Sequence, residues 1–236
     1  TIFSILLISI TYSYDLFSGL QDVLIFSLIL LFVRFIYLLN ENRNEKFNFL
    51  YIAILLLLFN ILCWTKNEGI FYGIFLFFSL IITQNFSNRD KKVIFSGIIL
   101  ILVLRIFIFK YYDNQLNPEY FEMGKTVSFN LTLLLEKFKT ITFYNLIYVS
   151  QNPIYLITMP TLFYVLFKYP RKNMTNFILC FLIFNLIFIY STYMFKMTEV
   201  ELLIKASMNR VIFQTSGFYF LIIIICINNY IKLSKL

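Results

Sequence analysis

Apolar runs of nearly membrane-spanning length recur along this chain, separated by short polar interruptions. Thr1–Thr11 is apolar but short, the outer half of a helix. Leu20–Asn40 is the first full span, and the polar loop Glu41–Lys46 follows it. Phe49–Trp64 and Ile70–Thr83 flank a charged break, and Asn88–Lys92 reads as a charged turn before the span Val93–Phe109. The mixed stretch Lys110–Asn152 holds much of the remaining polarity. Pro153–Phe167, interrupted at Pro160, then Asn176–Tyr193 and Val211–Tyr230 complete the series. A helix crosses a bilayer in about 20 residues, and backbone groups in lipid must be satisfied within their own segment. The pattern therefore predicts an all-α polytopic membrane bundle of about 7–8 transmembrane helices in one domain, 1–236.

Within the outward loop 110–152, Leu131, Leu134, Leu135, Phe138 and Ile141 recur at helical spacing, with Glu136, Lys137, Lys139 and Thr140 between them. That pattern suits an outward helix, lying in the interface or packed on the bundle.

Composition agrees. Hydrophobic residues make up 60% and charged residues 14%, with a mean hydropathy of +0.81, where a soluble domain carries about a quarter charged. Cys63, Cys180 and Cys226 lie in or beside apolar runs and read as small core residues. The sequence contains no histidine, so imidazole bases and histidine metal sites are excluded. Carboxylates could still hold a hard divalent cation, but no metal site or cofactor is assigned. The chain starts without an initiator methionine or a basic leader and reads as an N-terminally truncated fragment.

The net charge of +8 invites a nucleic-acid partner until it is placed on the topology. Arg43, Lys46, Arg89, Lys91, Lys92, Lys168, Arg171, Lys172, Lys232 and Lys235 fall on one side in short segments, opposed only by Glu41, Glu45 and Asp90. Basic residues dense in short loops mark the cytoplasmic side. The charge is thus a topology signal with no nucleic-acid partner, and the expected location is a bacterial inner membrane.

Four polar clusters then share the outward side: Asp15 with Asp22, Lys66 with Glu68, Arg105 with Lys110, and Lys196 through Arg210. Each has a plain alternative. Thr65-Lys66-Asn67-Glu68-Gly69 can be a solvated turn, Asp22 a helix-start acid favoured by the macrodipole, and Arg105 a snorkelling side chain. Together they describe a pocket at the water's edge with carboxylates and cations, suited to a lipid-linked phosphate with an acid nearby.

The hinge Thr65, Lys66, Glu68, Gly69 resembles the Thr-Lys-x-Glu-Gly hinge of GT-C glycosyltransferases, the polyprenyl-phosphate-sugar-dependent group that includes aminoarabinose and protein mannosyl transferases. Phe17-Ser18-Gly19-Leu20-Gln21-Asp22-Val23-Leu24 is similar to that group's Asp-x-Pro-Leu helix start, without the proline. Asn209-Arg210-Val211-Ile212-Phe213-Gln214 is similar to its late arginine. The resemblance implies transfer of a sugar from an isoprenoid-phosphate donor to an acceptor at the outer face, with membrane lipid and a polyprenyl-phosphate-linked sugar as partners. It implies Lys66, Arg210 and Arg105 as donor-phosphate contacts, and Asp22 and Glu68 as the carboxylates of the catalytic region. Asp22 would orient the acceptor or hold a divalent cation, and Glu68 would fix Lys66. The group's main catalytic carboxylate falls upstream of the matched region. Two other classes remain open: a transporter or lipid flippase, for which no internal repeat is found, and a non-catalytic assembly subunit. Sugar, acceptor and oligomeric state are not legible.

Overall fold

A computed structural model describes residues 20–41, 45–84, 86–111, 131–168, 173–194 and 200–233. Among them are eight α-helices and no strand: α1 (Leu20–Glu41), α2 (Glu45–Thr65), α3 (Asn67–Thr83), α4 (Asn88–Tyr111), α5 (Leu131–Gln151), α6 (Pro153–Lys168), α7 (Asn173–Met194) and α8 (Val200–Leu233). Asp15, Lys196, the run Thr1–Thr11 and the 112–130 part of the outward loop lie outside the described residues.

Every apolar run expected to be helical is helical where it lies among the described residues, but several boundaries move for local chemical reasons. Asn88–Lys92 is not a turn; it forms the first turn of α4. The Ser87 hydroxyl accepts the Asp90 amide at 3.1 Å and donates to the Asp90 carboxylate at 2.8 Å. This serine cap satisfies an orphan amide of the first turn, with an acid favoured beside it. Similarly, α2 begins at Glu45, inside the expected loop. At the start of α6, the Asn152 side chain accepts the Ile154 amide at 3.0 Å, and Pro153 sits first in the helix, where its missing N–H costs nothing.

Pro160 does not break its span; α6 runs through it. The Thr161 hydroxyl bonds the Ile157 and Thr158 carbonyls at 2.9 Å each. Hydroxyls of this kind serve the backbone carbonyls around a proline in an apolar setting.

The largest shift is in α8, which begins at Val200 and not at Val211. Ile204, Met208 and Val211 are buried while Glu201 and Lys205 face out, a helical amphipathic face preceding the apolar run. Arg210 consequently stands about three turns into a helix and not at its entrance.

Around α8 pack α1, α5 and α6; α1 also packs on α2, α2 on α3 and α4, and α3 on α7. The core is aromatic. Phe77 meets Phe32 edge-on at 5.0 Å and Phe59 at 5.7 Å, joining α1, α2 and α3. Phe26 and Phe213 stack at 5.2 Å with their planes 2° apart, fixing α1 against α8. A Cβ on Gly217 would enter the Phe26 ring, so glycine there permits the close approach.

Of the expected outward helix, α5 buries Ile141 against the bundle, while Leu135 and Phe138 remain largely exposed. Phe138 lies 5.0 Å from the Tyr190 ring, and the Thr142 hydroxyl pairs with that of Tyr190 at 2.9 Å. These contacts place α5 against the Met194 end of α7.

Two of the described helices are long and apolar enough to cross a membrane, in Gln21–Leu39 and Asn176–Met194; Phe49–Thr65 and Asn67–Thr83 are shorter apolar helices. Large apolar side chains are also exposed along α4, with Ile99, Leu100, Val103, Leu104, Ile106 and Phe107 turned away from the core.

Candidate functional site

The site is built by the single-residue break between α2 and α3. Lys66 is extended, with φ −165° and ψ 158°, and its side chain makes no capping bond. The Gly69 amide closes the turn on the Lys66 carbonyl at 3.0 Å. A Cβ at Gly69 would lie inside the van der Waals shell of the Leu62 carbonyl oxygen. Glycine thus lets α3 start against the end of α2. The turn leaves the Lys66 side chain free to reach a different helix.

That helix is α1. The Lys66 ammonium donates to Asp22 Oδ1 at 3.0 Å and lies 3.7 Å from Glu68. Arg210, from α8, places Nε 3.6 Å from Asp22 Oδ2. The Gln214 amide, one turn further along α8, donates to Asp22 Oδ1. The residue Asp22 is only 4% exposed, and two cations and an amide donor face it, the pairing that a buried acidic side chain requires. Lys66 retains 19% of its side-chain exposure and Arg210 46%. Both cations therefore meet the carboxylate while part of each side chain stays exposed.

Four of the five residues singled out from sequence are brought together: Asp22, Lys66, Glu68 and Arg210. Arg105 is held nearby but committed differently. Its Nη2 donates to Asn67 Oδ1 at 2.8 Å, and its guanidinium lies 6.0 Å from the centre of the Trp64 ring. This buried arginine braces the neighbouring position of the same hinge. Lys110, at the end of α4, is exposed.

Sequence reasoning passed over Gln214, Asn67 and Tyr72. Gln214 follows Arg210 by four residues and Tyr72 follows Glu68 by four, so each shares a helix face with a flagged charge. A neutral polar residue at i+4 from a charge in an apolar run is the signal that could have found them. Tyr193 also belongs to this region, its hydroxyl pairing with Ser207 at 3.1 Å.

The Lys66 ammonium is the group that both carboxylates face, at 3.0 Å from Asp22 and 3.7 Å from Glu68. Among the described residues, no three metal-binding side chains are grouped. Asp22 accepts hydrogen bonds from Lys66 and Gln214 and pairs with Arg210 at 3.6 Å, which suits it to orient the two cations.

A second polar contact joins α5 to the start of α8. Lys205 donates to Glu201 at 2.7 Å, and the Tyr144 hydroxyl donates to the same oxygen. The Lys205 bond, with the Tyr144 bond beside it, holds the Glu201 carboxyl below its ordinary range. Glu201 in turn raises Lys205 and Tyr144. A lowered carboxyl contributes above its unfolded value and is lost as pH falls through its folded value. A raised ammonium contributes below its unfolded value and is lost as pH rises through its folded value. The contact should therefore persist across neutral pH and loosen at both extremes. Lys205→Met should move the Glu201 midpoint back toward the ordinary carboxylate range, as followed by side-chain carbon NMR. An unmoved midpoint would show that the pair does not form in solution.

Comparison with protein-family models, with curated proteins and with solved structures finds no match to this chain.

Proposed function

We propose that this chain is a polytopic membrane protein whose outward end holds an anionic lipid phosphate, and that it belongs to a GT-C-type glycosyltransferase using an isoprenoid-phosphate sugar donor. The observation that carries the reading is the meeting of Asp22, Lys66 and Arg210 from α1, the α2–α3 hinge and α8. Two cations gathered on one buried carboxylate, each with a partly exposed side chain, make a preorganised seat for phosphate oxygens. A lysine supplies a point charge and an arginine a planar fork, which together can hold two oxygens of one phosphate. Asp22 acts by orienting both cations, and Glu68 limits the swing of Lys66.

The membrane setting is supported by the two span-length helices, the two shorter apolar ones and the exposed apolar face of α4. In this reading the ends of the helices near Asp22, Lys66 and Arg105 face outward, and the basic segments near Arg89 and Lys168 face the cytoplasm. Asn88 and Lys110 are exposed near opposite ends of α4, which makes them a matched pair of reporters. With cysteine at each in a background lacking native cysteines, an impermeant maleimide on intact cells should label Lys110→Cys and spare Asn88→Cys. The reverse pattern would invert the orientation and remove the outward site.

Transfer itself is tested with the full-length enzyme in liposomes, a polyprenyl-phosphate sugar labelled in the sugar, and acceptor supplied from outer-leaflet extracts. Label should leave the donor, and Lys66→Met should slow it. Absence of transfer with donor binding intact would favour the non-catalytic subunit.

A further inference from the structure

Beneath Asp22 the interior of the bundle continues polar. Asn185 of α7 donates to the Thr215 hydroxyl at 3.2 Å and to the Tyr219 hydroxyl at 3.0 Å. Thr215 is the neighbour of Gln214, which bonds Asp22. A polar string thus descends from the outward cluster along α8 into an aromatic core, where Phe181, Phe218 and Tyr219 pack together.

Three side-chain atoms along this string are buried without a protein partner among the described residues: the Tyr72 hydroxyl, Gln214 Oε1 and Asn185 Oδ1. The three residues are 0%, 1% and 2% exposed. Tyr72 belongs to α3, which packs on α7, the helix of Asn185, and on α1, the helix of Asp22. Its ring packs on Phe188 at 5.1 Å, one turn from Asn185. Two amide carbonyls that lack donors and one hydroxyl are costly to leave unbonded in a dry interior. Their chemistries are complementary to a single kind of small molecule, one that donates twice and accepts once.

We propose that Tyr72, Gln214 and Asn185 form a buried water site that ties the Asp22 cluster to the Asn185–Thr215–Tyr219 network. Water donates to the two amide oxygens and accepts from the Tyr72 hydroxyl, within the two to four bonds that internal waters make. Full burial of Tyr72 favours water over a hydroxyl of any ligand entering from outside. The site gives Gln214 a fixed amide orientation, with Oε1 toward the water and Nε2 toward Asp22.

The test uses the purified protein in detergent without donor lipid, so its outcome is independent of any transferase activity. Tyr72→Phe removes only the hydroxyl. A dry hydroxyl with no partner would be better lost, leaving Tm unchanged or raised. A hydroxyl bonded to internal water should instead lower Tm by about 2–4 °C when removed. Combined with Asn185→Leu, the loss should be smaller than the sum of the two single losses, because both side chains share the bridging water. A Tm that stays or rises in Tyr72→Phe, or strictly additive losses, would overturn the proposal. High-resolution density in the wild-type protein gives a second readout that does not depend on variants folding. Ordered solvent bonded to all three side chains is expected, and a neighbouring side chain filling that space would overturn the site.

Discussion

Replacing Gly69 with valine should lower the stability of the bundle by about 3 kcal/mol and displace Lys66 from Asp22. The reason lies in what a side chain would meet. A Cβ at this position runs into the Leu62 carbonyl, a backbone group at the end of α2. Backbone cannot rotate aside as a phenylalanine or leucine tip can, so α2 and α3 would have to part. That movement carries Lys66 with it, since the Gly69 amide closes on the Lys66 carbonyl. Gly69→Ala should therefore suffer most of the same loss, because the first carbon already offends. Thermal unfolding of both variants in detergent checks this. A graded effect, with alanine harmless and valine harmful, would mean that the hinge relaxes and that its glycine serves only as a flexible turn.

The helices and the charged cluster were legible in the sequence for different reasons. Apolar runs near Leu20, Phe49, Ile70, Asn176 and Val211 announce helices because lipid or a packed interior allows little else. Their ends were less legible. Asn88 through Lys92 looks like a loop by composition, but Ser87 and Asp90 turn those same residues into a capped first turn. Glu201 and Lys205 look solvated, and they are, on the outer face of a helix whose other face buries Ile204 and Met208.

Asp22, Lys66 and Arg210 could be grouped from sequence because a charge beside an apolar run demands a partner. Which charges pair was not written there. Arg105 carries the same signal as Arg210, yet it is spent on Asn67 and Trp64. Gln214 and Tyr72 were harder to single out because neither carries a charge that demands a partner. Only the packing of α8 on α1 and of α3 on α7 gives them their roles.

The second large effect concerns the two cations themselves. Asp22→Asn keeps the shape but removes the charge that Lys66 and Arg210 face. Lys66→Met keeps the carboxylate but removes the better-buried cation. If the cluster were only a cross-brace between α1, the hinge and α8, both variants would lose stability and neither would change affinity for an anion in the protein that remains folded. If it seats a phosphate, the two variants separate. Lys66→Met removes a charge-assisted bond to the ligand, a loss of about 1.5–3 kcal/mol. Asp22→Asn leaves both cations in place but loosens their alignment, so its effect on binding should be smaller. Lys66→Arg should recover part of the affinity, with its planar fork in place of a point charge.

The most direct measurement is the affinity of polyprenyl monophosphate for the protein in nanodiscs of neutral lipid, compared between wild type and Lys66→Met with the folded fraction matched. The phosphate seat predicts binding roughly 10- to 100-fold weaker in Lys66→Met. Equal affinity in the two proteins would contradict it and leave Asp22, Lys66 and Arg210 as a structural brace.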